Sequence, residues 1–273
     1  MPLPSFVIIG RTFLRNLVGR RALIANLVAR DFRQRYIGSS IGWMWGIVHP
    51  AVLLASYTFV FSIVLKVGIP PGAGTESFAL YVFTGVLPWL LFQETVQRSS
   101  TAMVDYSNLI TKTVFPSEVL PISILCGNLL NHLLGLAVLL SIAVLPKEDI
   151  SPLLALLPLY LALLGLFTLG VSWMVSGLHV FLRDTSQALS ILMTFWFWST
   201  PIFFPLERLP EEVRFLGRLN PLAQVVEAYR RSILAGQRPA GRDLAILAGI
   251  SLATFVAGGL FFRHSKRAFG DVL

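Results

Sequence analysis

The sequence predicts an all-α integral membrane protein with six transmembrane helices, an N-terminal amphipathic interface helix and a re-entrant helical hairpin between spans five and six. Composition points that way first: of 273 residues 55% are hydrophobic and 13% charged, with a mean hydropathy of +0.73. Soluble domains carry about 25% charged residues, twice the fraction available here to cover a water-facing surface. Apolar stretches near the roughly 20 residues a bilayer crossing needs then fall at 41–66, 79–97, 119–145, 152–178, 187–204 and 244–262. Finally, the basic residues lie between and outside these stretches. The net charge of +8 therefore reads as contact with anionic lipid rather than with nucleic acid.

The elements follow in order within one domain, 1–273. Residues 1–40 form a basic cytoplasmic segment containing Arg11, Arg15, Arg20, Arg21, Arg30, Arg33 and Arg35. Leu23, Leu27 and Phe32 alternate with several of these arginines, which predicts a helix lying on the inner leaflet, with Asp31 and Arg35 at i,i+4 spacing. The segment lacks the short apolar core and small-residue site of a cleavable signal peptide. Spans one to five occupy 41–204. Pro70, Pro71, Gly72 and Gly74 mark a loop, and Lys147-Glu148-Asp149 and Arg183-Asp184 mark turns. Span six and a tail occupy 244–273, with Arg263, Lys266 and Arg267 after the span. Six spans place both termini on one side, and two basic termini place that side in the cytoplasm.

Residues 205–243 are expected outside, at the outer leaflet, although they hold seven arginines against five acids. They read as a helical hairpin. Pro210-Glu211-Glu212 suits a first helical turn, Asn220-Pro221 an N-cap and N1 pair, and Gly236 a stop. Leu222, Val225, Val226, Tyr229 and Ile233 share one face between them.

Groups for chemistry are sparse. No phosphate-binding G-x-x-x-x-G-K-[ST] loop is present, and His49, His132, His179 and His264 lack metal-ligand spacing, so neither a catalytic residue nor a metal site is expected. The single cysteine, Cys126, excludes an internal disulfide. Glu94 stands four residues before Arg98, the spacing of a membrane-edge ion pair. Asn128, Asn131 and His132 share a face of the third span, where interhelical hydrogen bonding and the lining of a polar path are both open to them. Aromatic residues cluster: Trp43 and Trp45 open the first span, Tyr57, Phe59 and Phe61 follow, and Phe195-Trp196-Phe197-Trp198 lies in the fifth. An interfacial belt is one reading. A stacking surface for sugar rings is the other, with Trp43, Trp45, Tyr57, Phe59, Trp196, Trp198 and Phe203 as its candidates.

Three stretches, in this order, resemble the membrane subunit of the ABC-2 type exporters for polysaccharides, O-antigen and teichoic acids. The first is Arg30-Asp31-Phe32-Arg33-Gln34-Arg35-Tyr36-Ile37-Gly38-Ser39-Ser40-Ile41-Gly42-Trp43-Met44-Trp45, running to His49-Pro50, where Asn-Pro is commoner in the family. The second is Leu87-Pro88-Trp89 with Asn108-Leu109-Ile110-Thr111-Lys112 and Phe115-Pro116-Ser117-Glu118-Val119-Leu120-Pro121. The third joins Phe181-Leu182-Arg183-Asp184, Trp196-Phe197-Trp198-Ser199-Thr200-Pro201-Ile202, Leu219-Asn220-Pro221-Leu222 and Glu227-Ala228-Tyr229-Arg230. The likeness covers about residues 20 to 235.

The resemblance implies a permease in the cytoplasmic membrane of a prokaryote. It would pair with a second copy of itself and with two separate ABC ATPase subunits, which bind the ATP and Mg; no cofactor is expected in this chain. The cargo would be a lipid-linked glycan or polyol phosphate polymer. Asp105, Asn108, Lys112 and Phe115, within 105–116, would couple to the ATPase. Arg30, Arg33 and Arg35 would meet the lipid pyrophosphate or anionic membrane lipid. An ABC-2 exporter of a drug or small lipid shares this topology, and an intramembrane glycan-modifying enzyme is a rival of another class.

Overall fold

The protein is described from a computed structural model that covers residues 19–113, 115–143, 151–208 and 210–273, with the side chains of Gln34, Tyr36, Trp43, Glu207 and Val213 excepted. Arg11, Arg15, the expected turn at Lys147, Glu148 and Asp149, and the Trp43 ring lie outside the described residues. Among the described residues every regular element is helical.

Helix α1 (Arg21–Tyr36) packs on α5 (Val119–Ala143) through Leu23, Ile24 and Leu27. A short 3-10 turn at Gly42–Met44 leads into α2 (Trp45–Tyr57), which continues as a π-wound turn, Thr58–Val64. None of the residues from Trp45 to Val64 is buried, although the stretch is apolar enough to cross a bilayer. Helix α3 (Phe78–Asp105) is the central element and touches most of the others. At 28 residues it is about 42 Å long by the helical rise, so it outruns the roughly 30 Å hydrocarbon layer. The apolar signal stops at 97, where Gln97, Arg98, Ser99 and Ser100 interrupt it, but nothing there breaks a helix.

After α3 come the single turn and a half of α4 (Ser107–Lys112) and then α5. A 3-10 turn, Pro152–Leu156, opens α6 (Leu157–Phe181). The turn expected at Arg183 and Asp184 separates it from α7 (Thr185–Ser199). The fifth stretch was expected to be helical to 204, and it is not. Pro201 drives the preceding residue out of the α region, and Thr200 is extended at φ −84°, ψ 133°. The resulting 15-residue helix is shorter than a bilayer needs, and among the described residues five helices, not six, have the length and apolarity to cross: those at Trp45–Val64, Phe78–Asp105, Val119–Ala143, Pro152–Phe181 and Gly241–Val272.

Helices α8 (Glu211–Leu219) and α9 (Pro221–Tyr229) fall where the capping residues predict. Glu211 and Glu212 occupy the first turn of α8. Asn220 Oδ1 accepts from the Leu222 backbone N–H at 3.1 Å, and Pro221 needs no donor at N1. The chain runs on as a π-wound turn, Arg230–Ala235, and stops at Gly236, which is left-handed at φ +62°. The predicted apolar face of α9 is buried against α3, α6 and α10 (Gly241–Ser265). A last short helix, α11 (Phe269–Val272), covers α4 and α6.

The most extensive helix contact is α6 with α10, and it depends on glycine. A Cβ on Gly258 would land on the backbone of Gly170, and one on Gly170 would land on Thr254. Small residues let helix backbones approach where no hydrophobic force drives them together. Two apolar clusters divide the bundle along α3. The larger gathers Val82, Trp89, Phe92, Leu164, Met193, Val225 and Tyr229. The smaller gathers Leu27, Met103, Leu120, Trp173, Phe262 and Phe269 at the basic end, near Asp105.

Candidate functional site

At the α7 end of the bundle, the aromatic residues sort into those that meet and those that do not. Tyr57, on α2, lies 4.9 Å from the Phe203 ring and 6.0 Å from Phe197. Phe203 also stacks on Phe61 at 4.6 Å and on Trp198 at 5.4 Å. Of this cluster Phe203 is buried, whereas Trp198 is half open at 51% exposure. Phe59 stands apart and exposed, because Tyr57 and Phe61 share a helical face that Phe59 does not. Phe61 and Phe197 are therefore members that the choice of Phe59 missed; the i,i+4 spacing from Tyr57 was the available signal for Phe61.

Trp196 faces the bundle instead. It packs edge-on to Phe92 at 5.1 Å and donates from Nε1 to Asn220 Oδ1 at 3.1 Å. Asn220 in turn donates to Thr200 Oγ1 at 3.0 Å, so one side chain caps α9 and anchors the end of α7. Trp45 lies elsewhere, exposed, with Nε1 donating to Ser39 Oγ at 3.1 Å.

At the basic end, polar groups from three helices form one node. Arg98 of α3 grips both carboxylate oxygens of Asp31 on α1. Arg35 donates to Asn128 Oδ1 on α5 at 2.7 Å and sits 3.6 Å from Asp31. Asn128 Nδ2 donates to Thr95 Oγ1 at 3.0 Å, with both residues buried. The expected Glu94–Arg98 pair does not form. The bidentate Asp31 carboxylate matches the planar guanidinium better than a neighbour one turn away on the same helix. Among the described residues Glu94 makes no ion pair. It lines a cavity of about 230 Å³ with Arg35, His49, Asn131 and His132.

A second cavity, about 550 Å³, opens on the other side of Arg35 and is lined by Arg30, Arg35, Arg98 and Asp105 among others. Arg30 is exposed and lies 5.9 Å over the Tyr106 ring. Arg33 is exposed and lines neither cavity. The structure therefore brings Arg30 and Arg35 together with Arg98, which local spacing had assigned elsewhere.

Just beyond, the segment 105–116 turns back toward α5. Asp105, Asn108 and Lys112 are exposed, Phe115 is half-buried against the smaller cluster, and Ile110 packs with it. Two residues beyond it stands Glu118, whose carboxylate accepts from Arg20 at 2.7 Å and from Lys266 at 2.6 Å. Its backbone carbonyl accepts from Trp173 Nε1 at 3.2 Å. Burial pushes the Glu118 carboxyl up, but the bonds from Lys266 and Arg20 outweigh it and hold the carboxyl below its ordinary value.

Two buried polar arrangements have partners that no sequence spacing pointed to. His132, on the polar face of α5, meets the Leu87 carbonyl through Nδ1 at 3.2 Å and the Tyr229 hydroxyl through Nε2 at 3.0 Å. A carbonyl can only accept, so Nδ1 carries the proton and Nε2 accepts from Tyr229. For the open choice on this face, His132 and Asn128 are interhelical bonding groups that also line the cavity beside Glu94. Arg230, only 5% exposed, donates to the Pro201 carbonyl at 2.8 Å and to the Ile202 carbonyl, and lies 3.7 Å over the Tyr81 ring.

Such a molecule is a multi-pass membrane protein, with apolar helices outermost and its charged groups collected at the helix ends and in cavities between helices. Residues 22–234 match the ABC-2 type transporter family, and the chain belongs to it. It is 28% identical over 260 residues to the O-antigen export system permease protein RfbA of Myxococcus xanthus, covering 94% of this chain and 98% of that one. A protein of the same description from Klebsiella pneumoniae is 28% identical over 254 residues, covering 92% and 95%. The polysialic acid transport protein KpsM of Escherichia coli is 24% identical over 254 residues, covering 91% and 95%.

Proposed function

We propose that this chain is the permease subunit of an ATP-driven exporter that carries a lipid-linked polysaccharide, such as O-antigen, or a teichoic-acid-type polymer across the cytoplasmic membrane of a prokaryote. The observation that carries this reading is similarity along nearly the whole chain to permeases of O-antigen export. The sequence holds no phosphate-binding loop, so ATP and Mg belong to two partner ATPase subunits. The exposed face of Asp105, Asn108 and Lys112 is their docking surface, backed by Phe115.

The chain crosses six times, with both termini in the cytoplasm. The short α7 completes the fifth crossing. Its 15 residues rise about 22 Å, and the irregular residues from Thr200 to Phe204 supply the remainder. Helix α1 lies along the inner leaflet, and α8 with α9 forms a hairpin that re-enters the outer leaflet. The uncovered face of α2, with the exposed Ile191 and Phe195 of α7, meets lipid and a second copy of the chain. Arg30, Arg33 and Arg35 receive the lipid pyrophosphate, with Arg98 adding a further cation at the cavity that Arg30 and Arg35 line. The aromatic residues Tyr57, Trp198 and Phe203 offer ring faces to sugars near the exit, with Trp43, Trp45, Phe59 and Trp196 as the other stacking candidates.

The test is deletion and reconstitution. A strain lacking the chain loses surface polymer and accumulates the lipid-linked precursor inside, and the purified chain with its ATPase restores ATP-dependent flipping of that precursor. Normal surface polymer in the deletion strain sinks the reading. Precursor chemically altered by the chain without ATP identifies an enzyme, and drug resistance as the sole phenotype identifies a small-molecule exporter.

A further inference from the structure

A third cavity, of about 510 Å³, lies between α8, α9 and the start of α10, at the opposite end of the bundle from the Asp31 node. Its walls include Arg218, Arg230, Arg231 and Arg242 against two acids, Glu227 and Asp243. We propose that this cavity binds an acidic, hydroxyl-bearing saccharide unit, which makes it a polymer-binding site on the exit side. The proposal rests on the export reading for its choice of a glycan.

Charge selects an anion. Arg231 is taken by Glu227 at 2.6 Å, and Arg230 is taken by two carbonyls and the Tyr81 ring. Asp243 sits in the first turn of α10, where the positive helix end already stabilises it. Arg218 and Arg242 remain, both exposed and without an ion-pair partner among the described residues. Two free guanidinium groups beside a concave wall suit a carboxylate, which they can bind through paired N–H donors.

Hydrogen bonding selects a hydroxyl. Gln224 is 8% exposed, and its Nε2 donates to the Arg218 carbonyl at 2.5 Å, which fixes the amide the right way round. Its Oε1 then has no hydrogen-bond partner among the described residues, and neither has Arg230 Nε. The wall thus holds one buried acceptor and one buried donor to be met. A sugar hydroxyl both donates and accepts, whereas an ionised phosphodiester only accepts and leaves Gln224 unmet. Phe215, 56% exposed, adds a ring face at the rim for the C–H side of a sugar.

The experiment uses the chain assembled with its ATPase in nanodiscs of phosphatidylcholine, with trigalacturonate and neutral maltotriose titrated calorimetrically. Trigalacturonate is expected to bind at least about tenfold more tightly than maltotriose, and the double variant R218Q/R242Q to lose about tenfold, the scale of one charge-assisted hydrogen bond. Both changes lie on exposed side chains, so the variant assembles. Q224L weakens both sugars. Equal binding of the two sugars, no binding, or binding indifferent to R218Q/R242Q overturns the proposal. So does loss of trigalacturonate binding when phosphatidylglycerol replaces half the lipid, since the cavity then belongs to a lipid headgroup. A complex that exports polymer but fails these titrations removes the site alone, while normal polymer in the deletion strain removes the export reading alone.

Discussion

Two arginines at opposite ends of the bundle, Arg98 and Arg230, are held in opposite ways. At the basic end, cations meet carboxylates on other elements: Arg98 meets Asp31, and Arg20 and Lys266 meet Glu118, with side chains between 18% and 37% exposed. At the α7 end, Arg230 is buried and held by neutral groups, two backbone carbonyls and a ring. The first kind of bond weakens with salt and with acid. The second is made to backbone carbonyls and a ring rather than to a carboxylate, and removing it leaves two carbonyls without this donor. One end is an adjustable joint and the other a permanent fastening.

The largest test of this contrast is Arg230→Met. It leaves the Pro201 and Ile202 carbonyls without their donor, and the loss of buried partners of this kind is worth about 3 kcal/mol. Melting in detergent should drop sharply and equally at low and high salt; a salt-dependent drop breaks the comparison. Asn128→Leu comes next. It removes the Oδ1 acceptor of Arg35 and the Nδ2 donor to Thr95, for about 2 kcal/mol, and α1 should become accessible to protease before the rest of the bundle does.

Glu118→Gln is smaller, about 1 kcal/mol, because its partners are partly solvated, and it carries a pH signature. The folded carboxyl titrates below its unfolded value, so its contribution is complete above about pH 4.5 and vanishes as pH falls through the lower folded value. Melting temperature of the parent should fall in that acid window relative to the variant; parallel curves refute the joint. The smallest is Glu211→Gln. Its pair with Arg214 is 3.9 Å long and 88% exposed on the acid side, and the melting temperature should not move.

Much of the fold was legible because its signals are local. Apolar length located the long helices, and Asn220-Pro221 and Gly236 located the start and stop of the α9 segment through side-chain and backbone geometry that needs no distant partner. What escaped depends on separation in sequence. Arg98 has an acid four residues before it, yet its partner is 67 residues away, and no spacing rule reaches that far. Arg230 was one arginine among seven in 205–243, and only the packing of α9 against α3 reveals it as buried. The end of α7 was legible in principle, since Pro201 constrains Thr200, but the unbroken apolar run through Phe204 hid it. Of the aromatic candidates, strict attention to helical spacing separates Tyr57 and Phe61 from Phe59. No periodicity could place Trp196 on Asn220.

The Glu118 clamp also has a consequence in time. Arg20 is synthesised 98 residues before the acid that binds it, and Lys266 is synthesised 148 residues after that acid. At translation speeds of about 5–20 residues per second, several seconds separate each arrival. The Arg20 half of the joint can close once Glu118 has emerged, but the Lys266 half cannot close until the last long helix has left the ribosome. Helix α1 meets its partners on α3 and α5 well before α10 is made, so a nascent chain halted before α10 carries the Glu118 end of its docking turn fastened by Arg20 alone.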